Sequence, residues 1–229
     1  MIRLEAIFKY ILSLVISLLS PVAISAQTPA NVAEPIEQDS TSFLHGFAVG
    51  IDLVGIVQYA VSDYGQFEAT LRLNLHDKYF PIFEAGIGRA SSDDEVTEIS
   101  YRSTAPYFRI GADYNMMKNK HDDYRIYLGG RYAFSYFNYD VSHPDMKDPY
   151  YGGISTYMAN DVKCYSHWFE LAAGVDAKIW GPFHLGWSVR YRKRLFHDSG
   201  ELGNVWYVPG FGKDDSSTLG AAFYFTIDI

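Results

Sequence analysis

Residues 168–178 read "WFELAAGVDAK". Phe169, Leu171, Ala173, Val175 and Ala177 are apolar, whereas Glu170, Asp176 and Lys178 fall on the other parity. A period of two marks a strand, because successive side chains leave opposite faces of the pleat. One face is therefore apolar and the other charged. Which face meets the solvent, and whether that solvent is water or hydrocarbon, decides the fold.

The same alternation recurs along the chain and predicts eight strands. Phe47, Val49, Ile51 and Leu53 form the apolar set of the first, and Phe67, Ala69, Leu71, Leu73 and Leu75 that of the second. Phe83, Ala85 and Ile87 mark the third, and Phe108, Ile110, Ala112 and Tyr114 the fourth. The fifth carries Ile126, Leu128, Tyr132, Phe134 and Tyr136, and the stretch quoted above is the sixth. Phe183, Leu185, Trp187, Val189 and Tyr191 mark the seventh; Leu219, Ala221, Phe223, Phe225, Ile227 and Ile229 mark the eighth. Pro106 has no N–H to give a ladder, so the regular part of the fourth strand is expected to start there, with 99–105 as a rim extension.

Connections alternate in length. "HDK" (76–78), "MKNKHDD" (117–123) and "WGP" (180–182) are short, whereas 55–64, 90–100, 138–161 and 196–216 are long. Short turns at one end and long loops at the other are the pattern of an exported membrane barrel. An even strand number then brings both termini to the short-turn, periplasmic end.

The opposite parity carries Asp52, Glu68, Glu84, Asp113, Glu170, Asp176 and Asp228 against Arg72, Arg109, Arg125, Arg131, Lys178, Arg190, Arg192 and Arg194. The two signs nearly cancel. Interspersed are Gly50, Gly86, Gly111, Gly129, Gly174, Gly186 and Gly220. Glycine weakens a strand on a solvated face, but a narrow lumen filled by its own side chains has use for it. The charged face is therefore expected inside, and the apolar face against lipid. Residues summing to about 362 should lie opposite across the sixth and seventh strands, pairing Glu170 with Arg192 and Trp168 with Arg194. Arg72 is expected opposite or diagonal to Glu84, and Asp113 near Arg125. A soluble barrel or sandwich with its charge outward explains the alternation equally well, but not the glycines, the charge balance or the loop lengths. Tyr79, Phe80, Tyr136, Phe137, Trp180 and Phe183 are candidates for interfacial aromatic girdles, or for packing between rim and loops.

Residues 1–26 read as a secretory signal: Arg3 and Lys9 precede the apolar "YILSLVISLL" (10–19), and "AISA" ends at Ala26. That apolar run is shorter than the roughly 20 residues of a spanning helix. Residues 27–43 read as a flexible tail, and 44–229 as the barrel. The chain has a net charge of −8, and removal of Arg3, Lys9 and Glu5 makes it more acidic. That balance excludes general nucleic-acid binding. Cys164 is the only cysteine, so an intrachain disulfide is impossible, and a packed thiol is expected. Aromatics at 17% with 19 glycines suit a sheet protein.

The segments "FAVGIDLVG" (47–55), "YFRIGADYN" (107–115), "IYLGGRYAFS" (126–135), "WFELAAGVDAKIW" (168–180), "LGWSVRYR" (185–192) and "VPGFGK" (208–213), in this order, resemble a domain-of-unknown-function family of small Gram-negative outer-membrane barrels. The resemblance covers nearly all of the chain after the signal. It implies an outer-membrane barrel in contact with lipid and, during biogenesis, with the barrel-assembly machinery. It carries no activity from which functional residues transfer. Many such barrels end in an aromatic residue that the machinery reads; this chain ends in Ile229.

No motif marks a cofactor or metal site. His143 with Asp145, and His197 with Asp198 and Ser199, are candidates for a rim active site, but neighbours on an extended chain point apart, and a triad must converge. "DDE" (93–95) and "HPDMKD" (143–148) match no calcium loop. "GFGK" (210–213) lacks the spacing of a phosphate loop. The expected role is non-enzymatic: structural, or contact with an extracellular ligand through the loops 139–161 and 196–216. The lumen is expected to be plugged by Asp52, Glu68, Arg72, Glu84, Arg109, Asp113, Arg131, Glu170, Asp176, Arg190, Arg192 and Arg194. The alternatives are an enzyme acting on lipid or envelope substrates at the rim, and a narrow gated pore.

Overall fold

A computed structural model describes residues 43–147, 150, 152–203 and 205–229. The signal segment 1–26, and the tail 27–43 apart from Phe43, lie outside the described residues. Eight antiparallel strands close into a ring: β1 (Leu44–Asp52), β2 (Tyr64–Leu75), β3 (Tyr79–Asp93), β4 (Ser100–Asn115), β5 (Tyr124–Lys147), β6 (Ile154–Trp180), β7 (Phe183–Asp198) and β10 (Ser217–Asp228). The short β8 (Tyr207–Val208) and β9 (Gly212–Lys213) pair only with each other. Each ring strand pairs with the ring strands before and after it in the chain, and β10 returns to β1, the connectivity expected of an up-and-down barrel.

Local chemistry sets the tight turns. Between β2 and β3, His76 and Asp77 take φ of 55° and 52°, and Asn74 Oδ1 accepts the Asp77 N–H at 2.8 Å. Two left-handed residues match the twist of the flanking strands. Gly181, with φ of 54°, turns β6 into β7. In the β6–β7 register Glu170 faces Arg192 and Trp168 faces Arg194, as the sum rule predicts.

The long connections depart from the expectation of loops. Residues 53–61 form a helix, α1 (Leu53–Val61), so that Leu53 opens a helix instead of extending the first strand. Asp52 caps it, accepting Val54 N–H at 3.1 Å and Gly55 N–H at 3.2 Å. β1 accordingly pairs with β10 no further than Asp52, and with β2 only as far as Ile51. Past that point α1 packs against β2 and β10 in place of a strand. Gly65 makes this possible, since a Cβ there would collide with the backbone of Tyr59.

Much of 138–161 is ladder, not loop: β5 runs to Lys147 and β6 starts at Ile154. β4 is regular from Ser100, through Pro106, which stays in register with Ile87. The missing N–H shows on the other side, where the β4–β5 ladder lapses between Ser103 and Tyr107. The β8–β9 pair forms a small hairpin inside the expected loop 196–216.

The two faces separate cleanly. Ile87, Ile110, Leu128, Leu171 and Val189 are exposed on the exterior, between 45% and 59%. Glu68, Glu84, Arg109, Arg131, Glu170 and Arg190 are at most 1% exposed in the lumen. Of the aromatic candidates, Trp180 stacks on Phe183 at 6.2 Å and Tyr79 lies against Tyr114 at 5.6 Å, outside at the turn end. Tyr136 is exposed toward the loop end. Phe80 and Phe137 are not girdle residues, because their parity turns them into the interior, where both are buried.

Candidate functional site

The lumen is filled in three tiers. The middle tier is built from alternate residues of β2–β7 and β10. Arg190 grips Glu84 with two parallel bonds of 2.7 and 2.9 Å, and Arg131 Nε reaches the same carboxylate at 3.2 Å. Arg109 donates to Glu170 at 2.8 Å and pairs with Glu68. Glu68 also accepts from Tyr107 at 2.6 Å and Tyr224 at 3.0 Å. Trp168 Nε1 adds a 2.6 Å bond to Glu170, which Arg192 Nε approaches to 3.4 Å. Arg131 also meets Asp113 at 3.1 Å. Four carboxylates thus hold four guanidiniums in a connected lattice, the condition under which buried charge is tolerated.

The turn-end tier centres on Asp176. Arg72, Arg125 and His184 surround it at 3.0, 3.3 and 2.9 Å, and His184 Nε2 lies 2.9 Å from Asp228. Arg125 sits over the Phe80 ring at 4.0 Å. Below this tier a vestibule of about 450 Å³ opens at the turn end, with His121 bonded to Asp77 at 2.7 Å.

The loop-end tier is apolar, and it comes from a segment expected to face outward. Val205, Tyr207, Val208 and Phe211 are buried against Tyr101, Tyr107, Phe137, Tyr139 and Trp168. The tip of the β8–β9 hairpin is tied to the ion lattice: Arg109 donates to the Gly210 carbonyl at 2.6 Å, and Arg192 to the Phe211 carbonyl at 2.8 Å. Phe211 meets Trp168 edge-on at 5.7 Å and lies beneath Arg194 at 5.1 Å. Gly210, with φ of 81°, has no room for a Cβ beside the Tyr107 ring. Burial pushes the Tyr207 phenol up to about 12.

One expected pairing does not form, and another holds on the ladder without an ion pair. Asp113 lies opposite Gly129 and bonds Arg131, because the β4–β5 register is offset from the one that would bring it to Arg125; Arg125 faces Asp176 instead. Arg72 is diagonal to Glu84 on the ladder, with Thr70 opposite Glu84, yet its guanidinium crosses the lumen to Asp176. Arg194 finds its carboxylate, Asp214, on the hairpin's own segment and not on a strand. Asp52 bonds backbone only, its Oδ1 also accepting Phe223 N–H at 3.2 Å. The hairpin itself escaped the sequence reading. Its signal was the apolar run Val205–Val208 followed by two glycines, a composition out of place in a solvated loop.

Among the described residues the rim histidines form no triad; the side chain of Asp145, expected beside His143, lies outside them. His143 bonds the Pro144 carbonyl at 2.6 Å, and Asp198 accepts the Gly200 N–H at 2.9 Å while His197 is exposed. Asp93 pairs with Arg102 at 3.3 Å. Among the described residues no three His, Cys, Asp or Glu side chains converge as metal ligands. Cys164 is buried, its thiol directed to the Val162 carbonyl at 3.7 Å.

The chain belongs to the family described as Domain of unknown function (DUF6048), whose model matches residues 7–229. No curated protein matches it significantly. Among solved structures it is similar to a major outer membrane protein from Thermus thermophilus, at 11% identity and a TM-score of 0.47, over 81% of this chain and 100% of that one. It is similar to Ail, the attachment invasion locus protein of Yersinia pestis, crystallised with the heparin analogue sucrose octasulfate. There the identity is 10% and the TM-score 0.37, over 80% and 93% of the two chains. CarO2 of Acinetobacter baumannii aligns at 9% identity and a TM-score of 0.39, over 82% and 99%.

Proposed function

We propose that this member of the DUF6048 family spans the outer membrane as a sealed barrel with a non-enzymatic role, structural or in contact through its loops. One observation carries the reading: a continuous exposed apolar exterior surrounds a lumen packed with paired Arg and Glu. Water would leave that exterior unsatisfied, whereas hydrocarbon suits it, and a closed ring leaves few backbone groups without partners. The secretory segment and the even strand number support a periplasmic position for the termini. The long β5–β6 hairpin and the 94–99 connection then face outward and are the surfaces for an extracellular ligand. Barrel-assembly machinery and outer-membrane lipid are the implied partners.

The role assigned to Asp52, Glu68, Arg72, Glu84, Arg109, Asp113, Arg131, Glu170, Asp176, Arg190, Arg192 and Arg194 is to fill and close the lumen. Cell fractionation with surface proteolysis, followed by planar-bilayer recording, tests the reading. Outer-membrane recovery without steady conductance is expected; a soluble periplasmic chain would end it. The β8–β9 hairpin favours a second reading, a narrow pore opened when 205–214 withdraws. Steady conductance that rises in Arg192→Ala would decide for that reading.

A further inference from the structure

The wall is irregular where β1 ends. On the outer surface of β10, β1, β2 and β3, an apolar groove of about 650 Å³ is lined by residues that include Ile51, Ala69, Leu71, Phe83, Ala85 and Phe225. Small residues at Ala69 and Ala85 leave its floor low between larger neighbours. Along the outward parity of β3 the series runs Phe83, Ala85, Ile87, Arg89. At about 3.3 Å of rise per residue, Arg89 stands roughly 13 Å above Ala85, toward the loop end.

Arg89 is a cation held in place. The ring of Tyr59 on α1 lies 5.7 Å from its guanidinium, and the Tyr59 hydroxyl is 3.4 Å from Nη1. Among the described residues no carboxylate reaches Arg89 within ion-pair distance, whereas its neighbour Arg102 is neutralised by Asp93. An exposed arginine above a hydrocarbon-facing groove, about one acyl-segment length away, matches a molecule with a negative head and an apolar tail.

We infer that this face binds one anionic lipid of the outer leaflet, with an acyl chain in the groove and the phosphate on Arg89. The inference rests on the outer-membrane reading above. The bilayer supplies such chains beside the groove, and the charge on Arg89 selects among headgroups. α1 contributes by carrying Tyr59 to the place where a continued β1 would have lain.

Native mass spectrometry of the full chain, released from nanodiscs of equal phosphatidylglycerol and phosphatidylcholine, tests it. The wild type should retain phosphatidylglycerol about fivefold over phosphatidylcholine, the selectivity of one arginine at a membrane surface. Arg89→Ala should remove the preference, and Arg89→Lys should keep most of it. Ala85→Phe, which fills the groove, should lower retention of both lipids. Heat-modifiable migration on gels shows whether each variant is folded. Equal retention by the wild type, an unchanged preference in Arg89→Ala, or full retention in Ala85→Phe would overturn the site. A chain that fails to enter the bilayer would instead overturn the membrane reading.

Discussion

Arg190 and Glu84, 106 residues apart in the chain, meet in the lumen through two bonds of 2.7 and 2.9 Å, with neither side chain more than 1% exposed. Arg109 and Arg131 press on the same carboxylate from β4 and β5. Glu84→Ala would leave three guanidiniums without their shared anion. It should cost about 3–5 kcal/mol of stability, read as a lower midpoint in urea unfolding. The double variant Glu84→Met with Arg190→Met should cost less than the two single changes added together, because neither charge is then left buried alone.

Gly210 sits at the tip of the hairpin that enters the lumen. Its φ of 81° and its contact with Tyr107 exclude a side chain. Gly210→Ala should weaken insertion by about 1–3 kcal/mol. Faster protease cleavage within 199–216, with the eight-stranded ring intact on a gel, is the expected result.

Tyr207 predicts a pH dependence. Its phenol is held up to about 12 by burial, above the value near 10 of an exposed tyrosine. Its neutral form is therefore the one the inserted hairpin favours. Stabilisation from this group is complete below about pH 10 and is lost as the pH rises toward 12. Protease access to 199–216 should climb across that window, and Tyr207→Phe should reduce the climb.

Leu171 tests which face meets hydrocarbon. Its side chain is 49% exposed on the outer surface of β6, one residue from the buried Glu170. Leu171→Arg should destabilise the protein by about 2–4 kcal/mol when it is folded into lipid vesicles. Folding that is indifferent to this change would argue for water around the exterior.

Strand identity was legible because it is local. In β6 the alternation from Phe169 to Ala177 sets the two faces, and a tight turn at Gly181 carries the register to Arg192. Lumen contacts are not local. Arg72 reaches Asp176 across 104 residues of chain, a distance fixed by ring closure and shear, which no hairpin register encodes. The helix was hidden for a different reason. "LVGIVQYAV" has Val54, Val57 and Val61 exposed on the outer side and Gly55 buried against the wall, so it lacks the polar stripe that reveals a helix in water. The β8–β9 hairpin has strands of two residues, too short for any period to register.

The early end of β1 also bears on how the cylinder is made and unmade. β10 is zipped to β7 from Ser217 to Ile227, but to β1 only from Phe47 to Asp52. Ring closure joins the two strands that lie furthest apart in sequence, so it must wait for both, and it then depends on the shorter of these ladders. Under mechanical or thermal load this suture should part before the β10–β7 ladder.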